Sequence, residues 1–281
     1  MFKSQSAMEY LMTYGWSILI VAVVLGALSF LGVFNPLTFA PKASAGGCQV
    51  IKNTELGVSN LVGSCNNQVP QYVAQFNGRN YILADKPRLP TYVPVTLVAW
   101  INPDSGASGG ITGWGSPACD GDTYAIVLGQ NSILAAGAGC SGVYSSLHSK
   151  TGTWSFVAIS MNSSGEMFYL NGATSKNTIS PGSILSVNFT TGTYNFGVNG
   201  GIGEALQGYI SNIQIYNTSL TNSSIETLYQ EGIGGVPIDL NNLVAWYPLN
   251  GNANDYSGNQ NNGVPTNVVF TSDWYGGYTQ P

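Results

Sequence analysis

Residues 153–172 read TWSFVAISMNSSGEMFYLNG and contain the clearest strand signals of the chain. Trp154–Asn162 and Met167–Leu170 are rich in apolar, β-branched and aromatic residues, and they flank a polar turn, which is typical of paired strands. Asn171-Gly172 follows, and this dipeptide is a strong hairpin signal because both residues readily adopt positive φ angles. The segment therefore predicts antiparallel strands joined by tight turns.

Similar segments recur on both sides of this region. They are Tyr92–Ile101, Tyr124–Leu128, Tyr209–Tyr216 and Leu243–Pro248. Many short strands separated by turn residues predict an antiparallel β-sandwich, and about 240 residues can fold as one such domain.

One short helix is predicted at residues 222–231. Ser223 and Glu226 have the spacing of a capping box, in which each side chain bonds the other residue's backbone N–H. Ile225 and Leu228 give the helix an apolar side. Gly232 is placed to end it, since glycine is favoured just beyond a helix C-terminus.

These segments resemble the concanavalin A-like, laminin-G-type jelly-roll domain. The resemblance covers about residues 48 to 281 and is carried by four stretches of sequence: residues 153–172 quoted above, AQFNGRNYI followed by TLVAWINPDS, LQGYISNIQIYNTSLTNSSIETLYQEG, and LVAWYPLNGNANDYSGNQNNG. It implies an all-β antiparallel jelly-roll sandwich with one short helix, occupying residues 48–281.

The order of these stretches departs from the family pattern. LVAWYPLNGNANDYSGNQNNG usually opens the domain, but here it comes last, at residues 243–263. We interpret this as a circular permutation, in which the last strands complete the sheet beside the first. The alternative is a truncated second copy, which would leave strand edges exposed.

The N-terminal part differs from the rest in composition, because residues 10–41, between Glu9 and Lys42, carry no charge. Its apolar centre, Trp16 to Phe34, is long enough to cross a hydrocarbon core of ~30 Å as a helix. A secretory signal peptide would have a shorter apolar region, although Lys3 and Ala43-Ser44-Ala45 fit its two ends. A plain membrane anchor explains the length of the run but not Glu9.

Ser4 to Leu11 resembles the processing site of archaeal type IV pilins, which have class III signal peptides. The resemblance implies cleavage between Ser4 and Gln5, so that Glu9 becomes the fifth mature residue. It departs from the family at Ala7, where serine is common. It implies a leader at 1–4, a long hydrophobic α-helix at 5–36 and a linker at 37–47.

The resemblance also implies how such a helix is used. Glu9 would pair with the new α-amino group of a neighbouring subunit, because a carboxylate in an apolar environment requires a partner. Ala22, Gly26 and Ser29 lie roughly on one face and would let helices approach closely, although small residues are also common in membrane helices generally.

Composition indicates an external protein. Charged residues make up 7% of the chain and the net charge is −5, which argues against nucleic acid as a partner. Cys48, Cys65, Cys119 and Cys140 lack metal-site spacing, and we predict the disulfides Cys48–Cys65 and Cys119–Cys140. The chain contains four Asn-x-Ser/Thr glycosylation sequons, at Asn162, Asn188, Asn217 and Asn222.

The sequence offers no catalytic pattern. Retaining glycosidases need two carboxylates about 5 Å apart, and we place Glu166 in a turn, Glu204 in a loop, and Glu226 and Glu231 on the helix. His148, the only histidine, has no nearby acid–nucleophile pattern. We therefore predict a non-enzymatic protein without a certain cofactor.

Two kinds of ligand remain open. Asp255 in the 252–262 loop is a candidate structural calcium ligand, with an ordinary Asn/Gly-rich turn as the alternative. Trp114, Tyr124, Trp274, Tyr275 and Tyr278 are candidates for stacking on sugars, with core or subunit packing as the alternative.

The expected function is that of a structural subunit of an archaeal surface filament. Its N-terminal helix would reside in the membrane before assembly, be processed by a pilin peptidase and pack against identical subunits. The sandwich would be displayed outside the cell for adhesion to carbohydrate or another surface. The alternatives are a monomeric, membrane-anchored lectin and, third, an enzyme.

Overall fold

The structure is a computed structural model that describes residues 7–31, 33–34, 40–53, 55, 57–66, 68–84, 94–104, 109–115, 124–128, 130–138, 141–177, 193–197 and 206–281. The chain divides into two compact units, Met1–Pro41 and Lys42–Pro281.

The first unit contains helix α1, Ala7–Phe30. Its described side chains from Tyr14 onward are almost all exposed, including Trp16, Ile18 and Val23, which are 69%, 68% and 63% exposed. Among the described residues, no helix reaches the length and hydropathy required to cross a membrane. The span predicted from the sequence also includes Gly32, which lies outside the described residues.

The second unit is built mainly of strands. In chain order these are β1 (Lys42–Ala43), β2 (Cys48–Asn53), β3 (Val58–Gly63), β4 (Val69–Pro70), β5 (Val73–Asn77), β6 (Tyr81–Ala84), β7 (Val95–Pro103), β8 (Gly109–Gly115), β9 (Tyr124–Leu128), β10 (Ile133–Ala138), β11 (Ser141–His148), β12 (Ser155–Asn162), β13 (Gly165–Leu170), β14 (Ala173–Asn177), β15 (Thr193–Phe196), β16 (Gln207–Tyr216), β17 (Leu243–Tyr247), β18 (Gly263–Thr266) and β19 (Val269–Thr271). A 3-10 turn at Gln130–Ser132 and helix α2, Asn222–Gln230, complete the described elements.

Two large antiparallel sheets form the body of this unit. The first has the order β11-β10-β9-β8-β15-β6-β18, and the second β14-β13-β12-β7-β16-β5-β19, with β17 also paired to β16. One hydrophobic core joins them, and it contains Ile111 and Phe196 from the first sheet and Ile159, Phe168 and Ile213 from the second. The predicted all-β antiparallel sandwich is therefore confirmed.

The strand predictions are also confirmed, with small changes at the ends. Strand β9 has the predicted bounds, and β12, β13, β16 and β17 shift by at most two residues. Asn171 and Gly172 have φ angles of 48° and 80° and join β13 to β14, where Leu170 pairs with Ala173. This is the predicted two-residue hairpin.

Helix α2 lies where it was predicted, but its cap is different. Thr221, not Ser223, is the N-cap, and its side chain accepts a hydrogen bond from the backbone N–H of Ser224 at 3.2 Å. Ile225 and Leu228 are buried as expected. Gly232, with φ of 78°, follows the helix and supplies the left-handed conformation at its end.

The C-terminal strands complete both sheets. Strand β17 pairs with β16, β18 pairs with β6, and β19 pairs with β5. This is the arrangement predicted for a permuted single domain rather than for a truncated second copy.

The N-terminal edge of the sandwich begins earlier than predicted. Lys42 and Ala43, which we placed in the linker, form β1 and pair with β4. The Ala43 carbonyl also accepts a hydrogen bond from Asn250 Nδ2 at 2.8 Å. The disulfide Cys48–Cys65 is present as predicted, across the base of the β2–β3 hairpin. Cys119 and Cys140 lie outside the described residues.

Candidate functional site

A groove of about 420 Å³ lies beside the N-terminus of α2. Its walls come from β12, β13, β14 and the segment that joins β16 to α2. Its lining residues are mostly polar, namely Ser160, Asn162, Ser164, Gly165, Glu166, Met167, Tyr169, Lys176, Ser219, Leu220, Thr221 and Asn222. The volume lies within the range of small-molecule binding sites, roughly 300–1,000 Å³.

One wall of the groove is held in place by buried hydroxyl groups. Thr96, which is fully buried in β7, donates to the carbonyl of Thr218 at 2.7 Å and accepts from the N–H of Leu220 at 2.9 Å. Ser160 Oγ donates to the carbonyl of Leu220 at 3.0 Å and lies 2.8 Å from Ser219 Oγ. The loop after β16 is therefore fixed to the sheet, which makes the groove a preformed feature.

The rim of the groove carries oriented amides. Asn162 Oδ1 accepts from the N–H of Ser164 at 2.8 Å, and its Nδ2 donates to Ser219 Oγ at 3.3 Å. Tyr169 donates its phenol proton to Asn222 Oδ1. Burial raises the pKa of the Tyr169 phenol above its ordinary value.

Two charged residues also line the groove. Glu166 is 2% exposed and belongs to β13. Our placement of Glu166 in a turn was wrong, because the β12–β13 turn is only Ser163-Ser164, with Asn162 and Gly165 paired across it. Lys176 lies on β14 and is exposed.

The chemistry of the groove is that of hydrogen bonding to a polar ligand. Hydroxyls, amides, one carboxylate and one ammonium are within the lining. The aromatic residue of the lining, Tyr169, is only 4% exposed and offers no open ring face. A polyhydroxylated ligand fits such a surface better than a flat apolar one, because hydroxyl groups both donate and accept.

A second cavity, of about 40 Å³, lies between the disulfide and Trp246. It has room for about one water molecule or a few. Gln68 Oε1 lines this region and is buried without a hydrogen-bond partner among the described residues. Its size makes it a solvent site rather than a binding site.

The contacts of the Asp255 carboxylate do not support the calcium prediction. Oδ1 accepts from the N–H groups of Trp246 and Ser257 at 3.0 and 2.8 Å, and Oδ2 accepts from the N–H of Asn261 at 2.9 Å. Three donors therefore face Asp255, where a calcium site needs oxygen ligands. Among the described residues, no cluster of three metal-ligating side chains is found. Asp255 organises its loop, which agrees with the Asn/Gly-rich turn that we kept as the alternative.

The aromatic residues near the C-terminus are packing residues. Trp274 is 2% exposed and Tyr278 is 7% exposed. Trp274 meets Trp154 edge to face at 5.9 Å, and Tyr278 meets Trp100 in the same way at 5.6 Å. Tyr275 is half-buried and stacks on Trp274 at 4.2 Å. The side chains of Trp114 and Tyr124 lie outside the described part of the chain.

The residues considered for catalysis are dispersed. Glu226 and Glu231 are exposed on and just after α2, and Glu204 lies outside the described residues. His148 is exposed at the end of β11, with Nδ1 3.1 Å from the carbonyl oxygen of Asn131.

The predicted assembly and modification residues fall partly inside the structure. Ala22, Gly26 and Ser29 are exposed on α1, whereas Ser4, Gln5 and the side chain of Glu9 lie outside the described residues. Three of the four sequon asparagines, Asn162, Asn217 and Asn222, are exposed, and Asn188 lies outside the described residues.

Sequence reasoning did not find the groove. Its residues come from segments about 60 positions apart, and none of them belongs to a catalytic or metal-binding motif. Residues that the sequence analysis had singled out for other reasons touch the groove, namely the sequon asparagines Asn162 and Asn222 on its rim and Glu166 in its wall.

The two paired sheets and the hydrophobic core between them define a jelly-roll sandwich. A family model for the concanavalin A-like lectin/glucanases superfamily matches residues 76–226, more than half of the chain. The chain belongs to this superfamily.

Solved structures share the fold at low sequence identity. A candidate carbohydrate-binding protein from Bacteroides ovatus is similar, with a TM-score of 0.55 and 15% identity over 89% of this chain and 84% of that one. A heptameric SAP-like pentraxin from Limulus polyphemus has a TM-score of 0.52 and 17% identity over 71% of this chain and 94% of that one. No curated protein matches the chain.

Proposed function

We propose that this protein is the subunit of an extracellular filament, which polymerises through α1 and displays the sandwich as a carbohydrate-binding module. The observation that carries the proposal is the exposed apolar surface of α1. Trp16 and Val23, seven residues apart, lie on one side of the helix and Ile18 lies on the opposite side, and all three are more than 60% exposed. A surface of this kind marks an interface, because apolar area exposed to water costs roughly 25 cal/mol per Å².

Identical helices are the partners that the proposal assigns to α1. Because residues 10–41 carry no charge, α1 can pack on all its sides against copies of itself in a helical bundle. Ala22, Gly26 and Ser29 would form the closest contacts, and the space around the Cα of Gly26 is open. Glu9 would pair with the α-amino group of Gln5 in a neighbouring subunit. Residence in the membrane before assembly, and cleavage by a pilin peptidase, belong to the same proposal.

The displayed sandwich is proposed to bind carbohydrate without hydrolysing it. The groove beside α2 supports this, because it is preformed, polar and of suitable volume. The candidate carbohydrate-binding protein of Bacteroides ovatus has the same fold, which makes a lectin-like role a reasonable starting point for this chain.

The assembly proposal is tested with Glu9→Ala in the native host, with Glu226→Ala as a matched control on the exposed side of α2. We expect Glu9→Ala to abolish surface filaments in electron micrographs and Glu226→Ala to leave them intact. Mass spectrometry of the mature N-terminus should give a chain beginning at Gln5. Normal filaments from Glu9→Ala would refute the register role, and an intact Met1 would favour a monomeric, membrane-anchored lectin.

The binding proposal is tested on a glycan array. Lys176→Ala removes the ammonium from the groove, and Lys150→Ala removes an exposed ammonium elsewhere in the sandwich. We expect affinity for the best glycan to fall roughly tenfold in the first variant, as the loss of one charge-assisted hydrogen bond predicts, and to be unchanged in the second. Equal affinities for the two variants would place the binding site outside this groove.

A further inference from the structure

Three glycosylation sequons that are separate in sequence meet on one part of the sandwich surface. They are Asn162-Ser163-Ser164, Asn217-Thr218-Ser219 and Asn222-Ser223-Ser224, which we call the sequon patch. Asn162 is the last residue of β12, Asn217 directly follows β16, and Asn222 is the first residue of α2. All three asparagines are exposed.

Direct contacts join the patch. Asn162 Nδ2 donates to the hydroxyl of Ser219, which is the third residue of the Asn217 sequon, at 3.3 Å. Asn222 accepts from Tyr169 on β13. Asn162, Ser164, Ser219 and Asn222 all line the groove beside α2. Two of the three modification sites are therefore part of the groove itself.

The amide nitrogens of two of these asparagines are free to react. Asn222 is held only through its Oδ1, and no described group accepts a hydrogen bond from the Nδ2 of Asn217 or Asn222. Asn217 is bonded through its backbone N–H, which donates to the carbonyl of Asn242 at 3.0 Å. Asn162 differs, because its Nδ2 has to leave Ser219 first.

We propose that the sequon patch carries N-glycans that cover the groove, so that glycosylation controls access to it. The control of binding rests on the proposed carbohydrate-binding role of the groove, whereas the modification does not. The donor is a lipid-phosphate-linked oligosaccharide. The Nδ2 atom forms a bond to C1 of the first sugar, the C1–O bond to the lipid phosphate breaks with the electron pair leaving on that oxygen, and the amide releases one proton.

Steric shielding follows from where the glycans begin. A glycan on Asn222 or Asn162 is attached at the rim, and a bulky, hydrated oligosaccharide extends over the neighbouring surface. Lys176 lies in the groove and reports on this shielding, because it is exposed in the protein without glycans. Lys150 is also exposed but does not line the groove, and it serves as the internal reference.

The test uses the full chain in detergent, from a host that N-glycosylates exported proteins. Glycopeptide mass spectrometry is expected to find glycans at Asn217 and Asn222, with lower occupancy at Asn162. The wild type is compared with the triple variant Asn162→Gln, Asn217→Gln, Asn222→Gln. A second set, Ser164→Ala, Ser219→Ala, Ser224→Ala, removes the sequons while keeping the asparagines, in case the first set folds poorly.

Acetylation of Lys176 by a water-soluble ester should be roughly threefold or more faster in either variant set than in the wild type, with Lys150 unchanged. For glycan-array binding, the wild type from this host is compared with the wild type from a host without N-glycosylation, because the variants alter groove side chains, and binding should be stronger without the N-glycans. An absence of glycans on all three asparagines, or equal Lys176 rates with glycans present, would overturn the inference. If Lys176 is shielded while neither form binds any glycan, the patch is upheld and the carbohydrate-binding role of the groove is refuted.

Discussion

Asp255 is a buried carboxylate that holds its loop through three backbone N–H groups. Burial lowers the pKa of Lys52 below its ordinary value, and the nearby charge of Asp255 partly opposes this effect. The Lys52 ammonium also donates to the carbonyl of Leu243 at 2.7 Å. Asp255 thus joins the 252–262 loop to β17, and its negative charge favours the protonated form of Lys52 on β2.

Replacing Asp255 with asparagine is expected to lower the free energy of unfolding by about 2–3 kcal/mol. The NH2 group of the asparagine would take the place of one carboxylate oxygen, and the backbone N–H groups facing it would lose their acceptor. Asp273→Asn is the matched control, since Asp273 is exposed, and it should change stability by less than about 0.5 kcal/mol. Urea denaturation measures both. Thermal unfolding should not differ between calcium and a chelator, and an increase in Tm with calcium would restore the metal assignment.

Tyr216 gives the sandwich a sensitivity to alkaline pH. The residue is fully buried, and its hydroxyl donates to Gln214 Oε1 at 2.6 Å. Burial raises its pKa well above the ordinary value of 10.0, and the charge of Asp239 acts in the same direction, against a backbone hydrogen bond with Ile238. Tyr216 therefore stays protonated in the folded chain while it ionises in the unfolded chain above pH 10. Its contribution to stability is complete below pH 10 and is lost as the pH rises beyond it.

Tyr216→Phe should be less stable than the wild type by about 1 kcal/mol at pH 8, because the hydrogen bond is lost. Above pH 10 the ionisation of Tyr216 in the unfolded state destabilises the wild type by a further ~1.4 kcal/mol per pH unit, an effect that the phenylalanine variant lacks. The difference between the two proteins should therefore vanish near pH 11 and then reverse. Denaturant unfolding from pH 8 to pH 12 measures it, and a constant difference would contradict the assignment.

At the scale of elements, α2 shows how tertiary contacts select a local cap. Thr221, Asn222, Ser223 and Ser224 are all good N-cap residues, so the sequence alone does not choose among them. The position of Leu220 determines that Thr221 becomes the cap. The backbone N–H of Leu220 donates to Thr96, and its side chain is buried, with 6% exposed. The helix therefore begins at Asn222, as predicted, and its cap Thr221 lies two residues before the cap that we predicted from the capping-box spacing.

Thr221→Ala should reduce stability by about 1 kcal/mol, the usual value of an N-cap side chain. Ser223→Ala removes the predicted cap instead and should have a clearly smaller effect. Both variants retain the sequon at Asn222. Hydrogen exchange of the Ser224 amide should increase only in Thr221→Ala, and the reverse ranking of the two variants would reinstate Ser223 as the cap.

Strand positions were predictable because they depend on local pattern. In β12, the alternate residues Val157, Ile159 and Met161 belong to the hydrophobic core, although both faces of the strand are buried. Asn171-Gly172 imposes its own turn. Glu166 was misplaced because the turn before it has only two residues, and serine, glycine and glutamate give no sharp boundary. The groove was not predictable, since it arises only when β12 and the loop after β16 are brought together by Thr96 and Ser160.

At the scale of the whole molecule, the strand order cannot be read from local pattern. Strands β18 and β19 pair with β6 and β5, which lie about 180 to 200 residues earlier in the chain. Nothing within these short strands specifies such distant partners. The resemblance to the jelly-roll family supplied this information, because we interpreted the displaced position of residues 243–263 as a circular permutation, in which the last strands lie beside the first.

Two truncations test which parts of the chain the sandwich requires for stable folding: residues 263–281 at the C-terminus and residues 1–41 at the N-terminus. Removal of residues 263–281 deletes β18 and β19 and uncovers the edges of β5 and β6. It also deletes Trp274, whose carbonyl accepts from Trp154 Nε1 at 2.8 Å, and Gly277, whose carbonyl accepts from the N–H of Trp154. We expect this chain to aggregate or to lack cooperative unfolding, because exposed strand edges and a buried tryptophan lose their partners together.

Removal of residues 1–41 is the control, because Lys42–Pro281 forms a compact unit with its own core. This chain should remain soluble, unfold cooperatively and keep the affinity of the full chain for glycans, while it fails to enter filaments. Circular dichroism and light scattering compare the two truncations directly. Cooperative unfolding of the C-terminal truncation would mean that β18, β19 and the aromatic tail are accessories to the sandwich, and the interpretation of residues 263–281 as its displaced final strands would have to be abandoned.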